Sequence, residues 1–387
     1  MSSSAQKATE VIDAALPDLI GLSEAIHDHP ELAFEEHFSS ALVADFLEAK
    51  GFAVERGVAE LPTAFVARIG EGSLCVALIA EYDALPGVGH ACGHNLIAAS
   101  AVGAALGLAE VATELGITLK VIGTPAEEAG GGKVLLLERG VFDHINLAMM
   151  VHPWSFDRLE SQVLAVDQFE VTYTGRTAHA SAAPHEGINA GDAMTIAQVA
   201  IGLARQQLRP GDQVHGIVVS GGEAANVIPD KVVARYMCRS TTIEGLRALR
   251  PRIDACFEAG ALASGATLAM TPMGESYSHL DQDAELLTRF RTHAEERGRS
   301  FAADEDGSPR PCYSTDMGNI SLAVPSIHPL LGLDTHGAVN HQPEFTASCV
   351  GRSAEQLLHD ASVALCLTAI DAASEPALRQ RLESRLS

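Results

Sequence analysis

Four side chains that can bind metal ions or move protons lie together in one short loop. They are Asp83, His90, Cys92 and His94, in a segment punctuated by glycine and proline. Imidazole nitrogen and thiolate sulfur are ligands that divalent first-row metals prefer, and residues two apart in a loop can converge on one ion. The loop alone leaves two interpretations open: a metal site, or a buried cysteine with two loop histidines.

A strand and a helix must position this loop. Residues 74–79 form a continuous apolar run, which predicts a strand buried on both faces of a sheet. The Ala-rich residues 96–108 predict the helix that follows, and open α/β sheets carry their sites at such strand ends. Residues 65–69 predict another strand, which we expect to join 74–79 through a hairpin-like turn at 70–72.

Two further strand ends carry polar side chains. The predicted strand 119–123 leads to Glu127 and Glu128, which three glycines follow, so a site loop is favoured over a solvated helix face. The apolar residues 145–151 lead to His152. A single histidine after a strand is also compatible with a structural role.

Length and composition limit the class of protein. The 387 residues predict two domains, or one domain with another inserted. The 26 basic and 50 acidic residues give a net charge of −24, which disfavours nucleic acid and anionic membranes as partners. The sequence shows no targeting segment, we expect no apolar run of membrane-spanning length, and seven cysteines without paired spacing are typical of a reducing compartment. A cytoplasmic protein is therefore expected.

The central loop also resembles a known family. The segments Asp83-Ala84-Leu85-Pro86 and His90-Ala91-Cys92-Gly93-His94 are similar to the metal-binding signature of the aminoacylase and carboxypeptidase G metallopeptidases (peptidase family M20). Within the amidohydrolase branch, the match is best with members that act on p-aminobenzoyl-glutamate or dipeptides, and the branch includes the indoleacetyl-amino-acid hydrolases. His27-Asp28-His29-Pro30-Glu31-Leu32, followed by Phe34-Glu35-Glu36, resembles the leading element of the family.

The resemblance assigns a role to each candidate in the main domain. Glu127 corresponds to the general base. Asp83 is expected to orient a ligand histidine, and Asp316 to border the substrate pocket without binding metal. His336 competes with His341 for the last ligand position, because it lies only five residues earlier. The implied ligands of two divalent ions, Zn²⁺ or Mn²⁺ with Co²⁺ as a further candidate, are Cys92, His94, Glu128, His152 and His341.

An inserted segment at about 165–275 resembles the lid domain of the family, which forms the dimer interface. There the resemblance implies that His179 polarises the scissile carbonyl from the partner subunit, and that Asn226 and Arg239 bind the substrate carboxylate. Spacing leaves His185 open as an alternative to His179. It also leaves three other basic residues open as alternatives to Arg239, namely Arg205, Arg209 and Arg235.

The resemblance therefore implies an α/β fold. A catalytic α/β/α domain with a central sheet would comprise residues 1–164 and 276–387, and a smaller α+β lid and dimerisation domain would comprise 165–275. The implied activity is metal-dependent hydrolysis of an amide bond in an N-acyl or N-aroyl amino acid or a small dipeptide, by a homodimer. The alternative is a metal-binding or regulatory subunit without turnover, which Glu127 disfavours because a binding module needs no free carboxylate beside its ligands.

Overall fold

The protein is described by a computed structural model covering residues 2–301 and 312–384. It comprises two compact units, Met1–Gln162 with Leu280–Ser387 and Val163–His279. The chain leaves the first unit, builds the second and then returns, so the second unit is an insertion.

Helices and strands are interspersed along the described residues of both units. The helices are α1 (Ser3–His27), α2 (His37–Ala49), α3 (His94–Leu115), α4 (Gly132–Glu138), α5 (Ala190–Ala204), α6 (Ile243–Ser264), α7 (Ala284–Glu296), α8 (Met317–Ala323), α9 (Pro343–Ser348), α10 (Arg352–Ser374) and α11 (Pro376–Ser384). The strands are β1 (Ala53–Arg56), β2 (Phe65–Ile69), β3 (Leu74–Glu81), β4 (Ile117–Thr124), β5 (Leu147–Met149), β6 (His152–Trp154), β7 (Gln162–Val163), β8 (Ala165–Thr174), β9 (Gln213–Ser220), β10 (Lys231–Ser240), β11 (Thr267–Pro272), β12 (Cys312–Tyr313), β13 (Ser326–Ile327) and β14 (Leu330–Gly332).

The first unit is built on a six-stranded sheet of order β1-β2-β4-β3-β5-β13. β3 runs parallel to β4 and β5, whereas β2 is antiparallel to β4. The predicted hairpin between residues 65–69 and 74–79 is therefore wrong, since β4 lies between the two strands. An apolar strand that is buried on both faces takes an interior place with a neighbour on each side.

Alternate residues of β3 face two different cores. Val76 and Leu78 pack into the core that includes α1, α3 and α10. Ala77 and Ile79 pack into the core on the other face, together with Leu136 of α4. The period of two explains why the whole strand is apolar, and the predicted α/β/α arrangement is confirmed.

The second unit contains a four-stranded antiparallel sheet of order β11-β8-β10-β9. Helices α5 and α6 pack with the sheet around a separate core, which contains Ala197, Ile253 and Phe257. β9 lies at the edge of this sheet, and most of its residues are exposed. The unit is α+β, as predicted.

Within residues 2–301 and 312–384, two helices of the first unit reach the length and hydropathy of a membrane span, contrary to the expectation from the sequence. They are α3 and α10, with 22 and 23 residues. In each, 83% of the apolar window is buried inside the fold, which is typical of a core helix.

Candidate metal centre

Five of the predicted site residues lie in segments that follow three parallel strands. Cys92 and His94 follow β3, Glu127 and Glu128 follow β4, and His152 begins β6 shortly after β5. Because β3, β4 and β5 are parallel, their carboxyl ends lie at one edge of the sheet. The topology therefore gathers residues that are up to 60 positions apart in sequence, counted from Cys92 to His152.

Six side chains of the first unit form three overlapping groups of potential ligands. Within each group, one ligand atom per residue lies within 4.8 Å of the others. The groups are Cys92, His94 and His152; Cys92, Glu128 and His341; and His94, Glu127 and Glu128. The structure thus brings the five predicted ligands and the predicted base together.

Asp83 fixes the orientation of the His94 ring. Nδ1 of His94 donates to Asp83 Oδ1 at 3.0 Å and to the Asp83 carbonyl at 2.8 Å. This leaves the buried Nε2 of His94 without a hydrogen-bond partner and 3.8 Å from Glu128 Oε1. Burial alone would lower the pKa of His94, but Asp83 and nearby carboxylates outweigh it and raise the pKa well above its usual value. An unpartnered nitrogen in a place that favours positive charge fits a metal ion.

The carboxylates of the cluster also favour a cation among them. Burial, followed by the charge of Glu128, raises the pKa of Glu127 well above its usual range. Burial also raises the pKa of Glu128. Two dications would relieve this repulsion, and sulfur, nitrogen and oxygen donors together form an appropriate ligand set for first-row metals.

Cys92 and His152 supply the softer ligands. Burial and the neighbouring Glu128 raise the pKa of the Cys92 thiol well above its usual value, so metal binding must displace its proton. The His152 ring donates from Nδ1 to the Pro153 carbonyl at 2.7 Å, which leaves Nε2 available. Burial and His328 lower the pKa of His152 well below its usual value, and the neutral ring is the form that binds metals.

The structure separates the two candidates for the last ligand. Nε2 of His341 lies 3.8 Å from Glu128 Oε2, and its backbone N–H donates to the Ala91 carbonyl in the central loop. His336 instead points its Nδ1 toward Asp334 Oδ1 at 3.4 Å, and it belongs to none of the ligand groups found in residues 2–301 and 312–384. The geometry favours His341.

His90 of the central loop stands apart from these groups. Its ring is buried, and its Nε2 donates to the carbonyl of Ile26 at the end of α1. Of the two loop histidines, therefore, His94 faces the other ligands while His90 joins the loop to a helix.

A buried lysine behind the cluster was not predicted. Nζ of Lys133 lies 2.5 Å from Glu81 Oε1 and 2.6 Å from Asp316 Oδ1, and none of the three side chains is exposed. Asp316 also accepts the Lys133 backbone N–H through Oδ2. Glu81 Oε2 in turn lies 3.5 Å from His94 Nε2. Asp316 is thus a buried partner of Lys133.

His179 belongs to the second unit and is exposed. Its Nδ1 accepts hydrogen bonds from the backbone N–H groups of Ser181 and Ala182 at 3.3 and 3.2 Å. The ring proton of a neutral His179 therefore resides on Nε2, which can donate outward. His185, the alternative, lies in the short turn Pro184–Glu186 of the same loop.

Asn226 lies beside His179 in the second unit, since its carbonyl accepts the Ala180 N–H at 3.0 Å. Arg239 lies near the end of β10, with Nη2 3.6 Å from Met237 Sδ. Two of its competitors are held elsewhere, as Arg205 donates to the Val214 carbonyl and Arg235 pairs with Glu170. The third, Arg209, contacts Asp212 through its backbone N–H.

Comparisons with known proteins agree on the family. Residues 77–359 match Peptidase family M20/M25/M40. A Xaa-Arg dipeptidase of Mus musculus is 37% identical over 96% of this chain and 90% of its own length. One of the subunits of the p-aminobenzoyl-glutamate hydrolase of Escherichia coli (strain K12) is 32% identical over 67% of this chain and 58% of its own length.

A solved structure shares the fold. A dinuclear metal binding peptidase of the M20 family from Bacillus subtilis superimposes with a TM-score of 0.66 at 22% identity, over 92% of this chain and 99% of its own. The predicted fold class and the predicted family are both confirmed. The chain belongs to peptidase family M20/M25/M40 and is a hydrolase that acts on amide bonds.

Proposed function

We propose that the protein is a metal-dependent dipeptidase that prefers dipeptides with a basic C-terminal residue. One observation carries the catalytic part: Glu127 lies within 4.8 Å of ligand atoms of His94 and Glu128, beside the proposed centre. The substrate class is supported by the likeness to Xaa-Arg dipeptidases, which extends over 96% of the chain, against 67% for the p-aminobenzoyl-glutamate hydrolase subunit.

Five side chains would hold the metals, namely Cys92, His94, Glu128, His152 and His341. When bound, two divalent ions (Zn²⁺ or Mn²⁺, with Co²⁺ as a further candidate) would polarise the scissile carbonyl and lower the pKa of the attacking water.

Glu127 would transfer the proton. Its carboxylate accepts a proton from water as the water oxygen bonds to the carbonyl carbon, and it then donates this proton to the amine nitrogen as the C–N bond breaks. Asp83 assists indirectly, because its Oδ1 accepts from His94 and its Oδ2 accepts the Glu128 N–H at 2.9 Å.

The second unit would supply the groups that contact the substrate. His179 can donate from Nε2 to the developing oxyanion. Asn226 and Arg239 would bind the C-terminal carboxylate, which an arginine fork can hold by two hydrogen bonds.

A homodimer through the second unit is the proposed assembly. β9 is an edge strand with exposed Ile217 and Val219, and α5 exposes Val199 and Leu203. A dimer formed there would pair the β9 edge and cover these exposed apolar side chains.

A cytoplasmic location is also proposed, because all seven cysteines are free and the Cys92 thiol must stay reduced to bind metal.

A substrate panel tests the proposal. The purified chain, loaded with Zn²⁺ or Mn²⁺, is assayed for kcat/KM on Ala-Arg, Ala-Lys, Ala-Leu, Ala-Glu and p-aminobenzoyl-glutamate. We expect Ala-Arg and Ala-Lys to exceed the other three by at least about tenfold, since one charged contact is worth about 1.5–3 kcal/mol. Glu127→Gln, measured in parallel, controls for contaminating peptidases.

Two outcomes would overturn the proposal. If p-aminobenzoyl-glutamate is the best substrate, the preference for dipeptides is wrong. If no compound is hydrolysed by protein that contains two metals per chain, the proposed catalysis is wrong.

A further inference from the structure

A buried glutamate outside the ligand loops, Glu36, contacts the segment that carries the proposed base. It lies immediately before α2, next to the segment that resembles the leading element of the family, and its side chain is fully buried. It belongs to none of the ligand groups in the described residues. No step of the proposed reaction uses it.

Both oxygens of Glu36 accept hydrogen bonds. Oε1 accepts the backbone N–H of Ala126 at 2.8 Å and that of Phe34 at 3.0 Å. Oε2 accepts from the Thr63 hydroxyl at 2.8 Å. The carboxylate therefore joins three separate segments of the first unit.

Two of these partners have unfavourable backbone conformations. Phe34 has a φ of 65° and Ala126 a φ of 60°, in the left-handed region that non-glycine residues rarely occupy. Such conformations persist only where the surrounding structure holds them. A single oxygen of Glu36 holds the N–H groups of both residues.

The conformation of Ala126 sets the direction in which Glu127 leaves the backbone. The Ala126 carbonyl accepts N–H groups from Gly131 and Gly132, at 3.0 and 3.4 Å, which closes the loop behind the base. On the other side of Glu127, the Glu128 N–H donates to Asp83 Oδ2. The residues before and after the base are thus each held by a buried carboxylate.

We propose that Glu36 is a positioning residue, which fixes the Ala126 peptide so that the Glu127 carboxylate points at the attacking water. The inference rests on the proposed function of Glu127. Its requirement is geometric: an oxygen must lie where Glu36 Oε1 lies, whether or not the side chain is charged.

Substitutions that separate reach from charge test this role. Glu36→Gln keeps an oxygen acceptor for both N–H groups, and its amide can donate to Thr63 Oγ1. Glu36→Asp keeps the charge but is one methylene shorter, and Glu36→Ala removes the acceptor. Glu35→Ala is the matched control, because the Glu35 side chain next to it is 76% exposed.

We expect kcat to depend on whether the side chain at position 36 is long enough to place an oxygen where Glu36 Oε1 lies, and not on its charge. The kcat of Glu36→Gln and of the Glu35→Ala control should remain within about threefold of wild type. The kcat of Glu36→Asp should fall at least about tenfold and that of Glu36→Ala about 100-fold, since a displacement of about 1 Å costs that much. KM and metal content should change by less than about threefold in all four variants. Hydrogen exchange of a peptide that covers 125–132 should speed up only in Glu36→Asp and Glu36→Ala.

The outcomes separate this inference from the proposed function. If wild type shows no turnover, the proposed function fails, and the hydrogen exchange of residues 125–132 still tests whether Glu36 holds the loop. If Glu36→Gln loses as much kcat as Glu36→Ala, or if Glu36→Asp and Glu36→Ala leave both kcat and hydrogen exchange unchanged, Glu36 does not position the base. If Glu36→Ala does not fold, Glu36→Asp and Glu36→Gln provide the comparison.

Discussion

Lys133→Met should destabilise the first unit strongly, because it removes a buried cation that contacts both Glu81 and Asp316. The Nζ atom lies 2.5 and 2.6 Å from their carboxylate oxygens, and all three side chains have zero exposure. Methionine has nearly the same length but no charge, so two carboxylates would remain buried without their partner. Breaking a buried pair in this way costs about 3–5 kcal/mol.

The pH dependence of this cost follows from Asp316. Burial raises the pKa of Asp316 to about 6, although Lys133 opposes the increase. The pKa of Asp316 is higher in the folded protein than in the unfolded chain, so the protonated carboxyl stabilises the fold. This stabilisation is fully present below about pH 4 and is lost as the pH rises through 6. Without Lys133 the folded pKa should rise further. The stability difference between wild type and variant should therefore be smaller at pH 5 than at pH 8.

Urea unfolding at matched metal content, followed by far-UV circular dichroism at pH 5 and pH 8, measures this difference. Lys7→Met is the control, because Lys7 and Glu114 form an exposed pair 3.8 Å apart, worth no more than about 1 kcal/mol. A loss below about 1 kcal/mol for Lys133→Met at pH 8, or a larger loss at pH 5 than at pH 8, would show that Lys133 does not compensate the two buried carboxylates.

Three further predictions concern individual side chains. Glu127→Gln should retain both metals while kcat falls at least about 100-fold, whereas Glu128→Gln should lose one metal; the reverse result from metal analysis would exchange the two roles. His179→Ala should lower kcat about 100-fold with metals retained. If the partner subunit supplies His179, mixing His179→Ala with Glu127→Ala and allowing subunit exchange should restore activity. If the subunits exchange but activity does not recover, His179 does not act in the active site of the partner chain. Burial and Asp83 raise the pKa of Glu36 to about 7, so this group should lower the unfolding free energy of wild type by up to about 3 kcal/mol between pH 4.5 and 7. Glu36→Gln should lack this decrease, and identical pH profiles of the two proteins would contradict the prediction.

The local patterns predicted the strands and the loops that follow them. The apolar run at 74–79 became β3 because each residue faces one of two cores, and the glycine-flanked Glu127 and Glu128 are indeed in a loop after β4. The pairing of β2 was wrong because sheet order depends on contacts that are distant in sequence. A short glycine turn cannot reveal that β4 lies between its two flanking strands.

Lys133 and Glu36 were not predicted for the same reason, because their contacts are also distant in sequence. Lys133 has a partner 183 residues away, and Glu36 bonds to an N–H 90 residues away, so no local spacing could identify either. In sequence, a lysine at the start of a helix and a glutamate before one are typical of solvent-exposed positions. Only the fold shows that both are buried.

Reconstitution of the metal-free protein tests whether the chain is a two-metal hydrolase with the ligands Cys92, His94, Glu128, His152 and His341. Chelated protein, verified as metal-free, is titrated with Zn²⁺ or Mn²⁺ while the hydrolysis of Ala-Arg is followed. We predict no turnover without metal, and activity that rises to a plateau at two ions per chain. An unchanged rate of hydrolysis in the metal-free protein would show that the reaction does not depend on metal.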